Sequence, residues 1–100
     1  VDNVAGLLTV SGNTIDGNGD YGVFVRNTNS VEITNNTVTD NDADGVNVDN
    51  AFTSLLISGN TVTGNGDEGI DITDSNNVTV SNNTASNNTN DGIELDDTTN

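Results

Sequence analysis

Residues Leu55–Ile72 read LLISGNTVTGNGDEGIDI, and the same phrase recurs three more times along the chain. A shift of 24 residues toward the N-terminus gives Val31–Val48 (VEITNNTVTDNDADGVNV), and a further 23 gives Leu8–Val25 (LTVSGNTIDGNGDYGVFV). A shift of 23 toward the C-terminus gives Val78–Leu95 (VTVSNNTASNNTNDGIEL). Five columns are aliphatic in all four copies: Leu8/Val31/Leu55/Val78, Val10/Ile33/Ile57/Val80, Ile15/Val38/Val62/Ala85, Val23/Val46/Ile70/Ile93 and Val25/Val48/Ile72/Leu95. These 20 positions take two thirds of the hydrophobic residues in a chain that is only 30% hydrophobic. Within each copy apolar and polar residues alternate, the period of a strand with one buried face. The branched aliphatics are the residues strands favour. Columns of Asn (Asn13/Asn36/Asn60/Asn83 and Asn18/Asn41/Asn65/Asn88) and of Gly (Gly22/Gly45/Gly69/Gly92) fall between the strands. They mark turns that need left-handed or otherwise unusual backbone angles. Helical repeats are longer and carry a 3.6-residue period, which is absent. Each copy therefore predicts one coil of about three short strands.

Coils stacked about 4.8 Å apart pool their aliphatic columns into one core, and stacked Asn side chains can hydrogen-bond along the stack. The motif aliphatic-x-aliphatic-Ser/Thr-x-Asn-Thr-aliphatic, then Asn, then Gly-aliphatic-x-aliphatic, covers residues 8–95. In this it resembles the right-handed parallel β-helix repeat family, a fold also seen in carbohydrate-binding and sugar-hydrolase domains. The resemblance implies a scaffold; many activities share it. The fold class read from the sequence is all-β, a right-handed parallel β-helix of about four uncapped coils (8–30, 31–54, 55–77 and 78–100). Residues 1–100 form one segment of a longer solenoid, or a unit that stacks. The 24-residue step puts an extra residue near Asn50–Ser54, so Ala51 and Phe52 are expected in a small bulged loop. Ala85 thins the last core layer. Val1–Leu7 and Asp96–Asn100 are too short and polar to cover the ends, and open parallel edges invite pairing with another chain.

Sixteen acidic residues against one basic residue and no His give a net charge of −15. That balance excludes nucleic acid as a partner, and no apolar run is long enough for membrane insertion. With 20 Asn and 15 Thr the chain could pass for a disordered polar tract, were it not for the repeat. It has no Cys, and hence no disulfide framework or thiolate metal site. It begins with Val1 rather than Met, as a processed or excised chain does. Replacing Lys and Arg by Asp, Asn and Thr keeps a surface hydrated where salt has shortened the screening length, which suits a saline, halophilic setting.

Aligned carboxylates are the first candidate site. Asp44, Glu68 and Asp91 share one column, and Asp71 and Glu94 share another. Two like charges one coil apart repel by about 0.9 kcal/mol even in bulk water, and Ca²⁺ would relieve them. A solvated acidic surface is the plainer reading. Asp40–Gly45 echoes the start of an EF-hand loop, but the twelfth loop position is Ala51 instead of Glu. Asn35, Asn77, Asn82 and Asn87 head glycosylation sequons, several of which chance alone supplies in such a composition. Thr37/Thr39 over Thr61/Thr63 would make a flat hydroxyl array of the ice-binding kind, although Ser86 and Asp16 interrupt it and strand propensity explains outward Thr as well. For catalysis the inventory is thin. Arg26 and Tyr21 stand alone in the first coil, and the pair Asp71/Glu94 meets the two-carboxylate requirement of glycoside hydrolysis without an aromatic platform expected nearby. These residues point to a structural or adhesive segment of an extracellular, cell-surface or fibre-forming protein. Calcium is the one expected cofactor, and the expected partners are further coils, its own copies or a polysaccharide. The alternative is a non-catalytic slice of a larger polysaccharide lyase, epimerase or hydrolase.

Overall fold

The computed structural model describes all residues, 1–100, and contains strands but no helix. In chain order the strands are β1 (Leu7–Ser11), β2 (Thr14–Asp16), β3 (Val23–Thr34), β4 (Thr37–Thr39), β5 (Val46–Ser58), β6 (Thr61–Thr63), β7 (Ile70–Thr73), β8 (Val78–Ser81), β9 (Thr84–Ser86) and β10 (Ile93–Asp96). One sheet runs β1-β3-β5-β7-β10, with β8 also on β5; the other runs β2-β4-β6-β9. Every pairing is parallel, and each register joins residues 23 or 24 apart, as in Leu8↔Val31, Val31↔Leu55 and Leu55↔Val78. The molecule is a parallel β-helix wound about four times.

The aliphatic columns line its interior. Val25, Ile33, Val38, Val46, Ile57, Val62, Ile70 and Ile72 are fully buried, in a core of 13 apolar residues. Burial of each such side chain stabilises the fold by about 1.5–3 kcal/mol. The first and last coils are open on one side, so Ile93 and Leu95 remain 39% and 48% exposed.

The two Asn ladders close the interior. Asn13 donates its backbone N–H and its Nδ2 to Asn36 Oδ1 at 2.9 and 3.0 Å. Asn36 does the same to Asn60 Oδ1, and Asn60 to Asn83 Oδ1. Asn18, Asn41, Asn65 and Asn88 repeat the scheme. The second Nδ2 hydrogen reaches back to a strand carbonyl, as from Asn60 to Ile33 at 2.9 Å. No buried side-chain polar atom lacks a partner, as a stable interior requires.

Four details depart from the sequence reading. First, the left-handed residues lie one position before the ladder Asn, not on it. They are Gly12/Asn35/Gly59/Asn82 and Gly17/Asp40/Gly64/Asn87, with Asn3/Asn27/Asn50/Asp74/Asp97 at a third corner. Only Gly, Asn and Asp occur there, the types that tolerate positive φ. The column Gly22/Gly45/Gly69/Gly92 has ordinary φ and serves close approach instead: a Cβ on Gly22 would stand 2.5 Å from both Gly45 O and Val38 Cγ1. Second, Ala51 is not in a loop. It lies within β5, 1% exposed, in a sixth buried column with Thr28 and Ser75, both fully buried. Ser75 Oγ accepts the Ala51 N–H at 3.1 Å and donates to Thr73 O. The extra residue sits at Phe52–Thr53, opposite Asn29, where the β3–β5 register shifts. Third, the last arm of one coil and the first arm of the next merge into one bent strand in β3 and β5 and separate only as β7 and β8. Fourth, the terminal segments, expected to be too short and polar to cover the ends, still pair with the wall: Asp2 with Arg26 and Thr99 with Asn76.

Candidate functional site

The acidic columns meet at one corner of the coil. Tyr21, Asp44, Glu68 and Asp91 precede the Gly column in successive coils, which the bonds Gly22 N–H to Asp44 O, Gly45 to Glu68 and Gly69 to Asp91 hold in line. Phe24, Asn47, Asp71 and Glu94 form the neighbouring outward column on the sheet. Asn47 joins the two, its Nδ2 donating to Asp44 Oδ2 at 2.7 Å and to Asp71 Oδ2 at 2.9 Å. Glu68 N–H donates to Asp44 Oδ1 at 3.2 Å. Asp44, 4% exposed, is the one buried carboxylate, and these contacts satisfy it.

Asp44, Asp67 and Glu68 bring one carboxylate oxygen each within 4.8 Å of one another. Asn90 Nδ2 donates to Asp67 Oδ1 and, at 3.4 Å, to Glu68 Oε1. Of the five carboxylates named from sequence, Asp44 and Glu68 are thus brought together and Asp71 is tied in through Asn47. Asp91 and Glu94 are exposed in the last coil and stand outside the cluster. Asp67, Asn47 and Asn90 were missed. Only Asp67 had a signal, its place beside Glu68 in sequence.

Burial, hydrogen bonding to Asp44 and the nearby charges of Asp67 and Asp44 raise the Glu68 carboxyl above its usual range. Burial and the charges of Asp44 and Glu94 raise Asp71, partly offset by the Thr73 hydroxyl. Tyr21 is raised by burial and then by Asp44, Asp20, Asp71 and Asp67. In all three, burial is the leading cause and the neighbouring carboxylates add to it. The corner has the hard oxygen donors a Ca²⁺ ion takes.

Phe24 heads the column of Asp71, two coils away from it. Tyr21 and Phe24 stack with ring centroids 4.8 Å apart and planes 22° from parallel, at the head of the two acidic columns. Arg26 lies 5.9 Å from the Phe24 centroid and pairs with Asp2 at 3.1 Å. The sequon residues Asn35, Asn77, Asn82 and Asn87 are all exposed, left-handed corner residues. The Thr array is the outer face of β2-β4-β6-β9, with Thr14, Thr37, Thr61 and Thr84 in register; Asp16 accepts the Thr39 hydroxyl at 2.7 Å.

No curated protein and no solved structure matches the chain. A family model described as right handed beta helix region matches residues 1–100, the whole length. Ladders, parallel registers and family match agree, and the chain belongs to the right-handed β-helix family.

Proposed function

We propose that this chain is a structural segment of an extracellular or cell-surface β-helix, whose ends are covered by further coils and whose acidic corner takes up Ca²⁺. The observation that carries the reading is the ladder wall itself: two Asn ladders and parallel registers of 23 or 24 residues run through successive coils. Such a wall of repeated ladders is suited to bearing load. The acidic exterior fits an open, saline environment.

Negative-stain electron microscopy of the protein from its native source tests this. Uniform fibres or long rods are expected; compact particles with a separate, cleft-bearing domain would overturn it. For the cation, millimolar Ca²⁺ should raise the melting temperature more than NaCl at equal ionic strength, and Asp44→Asn should abolish the difference. Equal shifts would reduce the corner to ordinary screening.

A second reading is favoured by the Tyr21–Phe24 stack above the carboxylates, an arrangement able to hold a sugar ring and hydrogen-bond its hydroxyls. On that reading the segment belongs to a larger polysaccharide-active protein. Saturable binding of an oligosaccharide that Tyr21→Ala abolishes would select it.

A further inference from the structure

The corners of the coil carry the glycosylation sequons, and the fold treats them differently. Asn35, at φ 55°, stands between Gly12 and Gly59 in its column, so neither adjoining coil sets a side chain beside it. Its amide lies over Gly59, where a Cβ would meet Asn35 Oδ1 at 2.6 Å. The backbone of this sequon is held from both adjoining coils. Asn35 N–H donates to Ser58 O at 3.0 Å and Thr37 N–H to Asn13 O at 2.8 Å, while Asn36 is buried in the ladder. Asn35 and Thr37 are exposed, so a fixed corner presents the acceptor amide and the sequon hydroxyl to solvent. No protein group holds the Asn35 amide, whereas Asn77 donates its Nδ2 to Thr53 O at 2.6 Å.

The wall around Asn35 is also free of charge. The columns of Thr34, Asn35 and Thr37 hold only Ser, Thr, Gly and Asn in every coil, although 16 of the 100 residues are acidic. Glu32 and Asp40, the nearest carboxylates in sequence, lie beyond these columns on either side. On a chain of net charge −15, such a gap is where an anionic reagent meets least repulsion.

We propose that Asn35 is the acceptor of an N-linked glycan, donated by an oligosaccharide carried on a polyprenyl diphosphate. This deepens the extracellular reading, on which it rests, by naming a covalent modification of the wall. Asn35 Nδ2 attacks the anomeric carbon of the donor. The C–N bond forms as the C–O bond to the diphosphate breaks; the polyprenyl diphosphate leaves with the bonding pair, and the amide proton passes to a base of the transferase. Gly12 and Gly59 leave room for the first sugar, and the uncharged columns let the donor diphosphate approach. The Ser and Thr hydroxyls of those columns, each able to donate and accept, then face the hydroxyls of the glycan. Asn77 must first give up its bond to Thr53 O.

The purified, folded chain is incubated with a single-subunit oligosaccharyltransferase and its lipid-linked oligosaccharide, and occupancy at each sequon is read by mass spectrometry. Each rate is divided by that of a short peptide carrying the same sequon, which removes the preference of the enzyme itself. On this scale Asn35 is expected to exceed Asn77 by about fivefold, the factor that breaking one hydrogen bond takes from a rate. Gly59→Asp keeps a residue type that left-handed corners accept, as at Asp40, and sets a charged side chain against the Asn35 amide. It should lower transfer to Asn35 by a similar factor and leave Asn77 unchanged. Thr37→Val should abolish transfer to Asn35. Circular dichroism confirms that each variant keeps its β spectrum, and the wild-type ratio carries the test if Gly59→Asp does not fold. Transfer to Asn35 no faster than to Asn77, or undiminished by Gly59→Asp, would overturn the acceptor. Because transfer is measured on purified protein, either failure leaves the extracellular reading standing.

Discussion

Asn60 does several jobs with one short side chain. Its Oδ1 accepts two bonds from Asn36, and its amide donates to Asn83 Oδ1 and to Ile33 O, all in the interior. Asn60→Ala orphans several buried partners at about 1–3 kcal/mol each. Asn13→Ala loses bonds at an exposed end and should cost well under half as much, a contrast that urea denaturation of the two variants reads directly. The Gly column gives a parallel contrast. A Cβ on Gly45 would stand 2.8 Å from Gly69 O and 2.7 Å from Asn65 Nδ2, whereas on Gly92 its nearest neighbour is Ala85 O at 3.3 Å. Gly45→Ala should destabilise by about 1–3 kcal/mol, as overpacking does, and Gly92→Ala by much less in the same assay. At this scale the aliphatic columns and both Asn ladders were legible, because their chemistry is the same in every copy. The column of Thr28, Ala51 and Ser75 was not. Small polar residues buried with local hydrogen bonds, Thr28 Oγ1 to Arg26 O at 3.1 Å among them, do not look like a core in sequence.

Among the elements, the corner that gathers Asp44, Asp67, Glu68 and Asp71 makes the fold respond to acid in an unusual sense. Glu68 and Asp71 hold their protons more tightly folded than unfolded, where their ordinary values are 4.5 and 3.8. Between those values and the raised folded ones the native state binds more protons, so stability falls as pH rises through that window. The urea midpoint should therefore be higher near pH 4 than at pH 7, and Asp71→Asn should flatten the slope. Asp2 opposes the trend: burial, the largest single cause, raises its carboxyl, but the Asn27 and Arg26 hydrogen bonds and the nearby positive charges together outweigh it and hold it low. Its exposure makes its share small. The acidic columns could be aligned from sequence; their meeting could not. Asn47 bridges Asp44 and Asp71 across two columns, and that proximity depends on how sharply the coil turns before the Gly column. The Tyr21–Phe24 stack escaped notice for the same reason.

In the whole molecule, stability is a sum over coils and the contacts between them. The inner coils bury both faces of every ladder and the outer ones only one, so fraying should start at the ends. Amide hydrogen exchange should show the slowest protons in the Ile33, Ile57 and Ile72 rows and rapid exchange in β1, β9 and β10; uniform protection would contradict a stack of separable layers. The near-identity of the coils carries a hazard of its own. A slip of one whole coil would set Leu, Val, Asn and Gly onto their like, so wrongly ordered stacks lie close in energy to the right one. The extra residue at Phe52–Thr53 works against that degeneracy: this coil turns with two residues where its neighbours on either side have one, Asn29 and Asn76. It acts as a key cut into otherwise interchangeable blanks, telling a folding chain which coil it has reached.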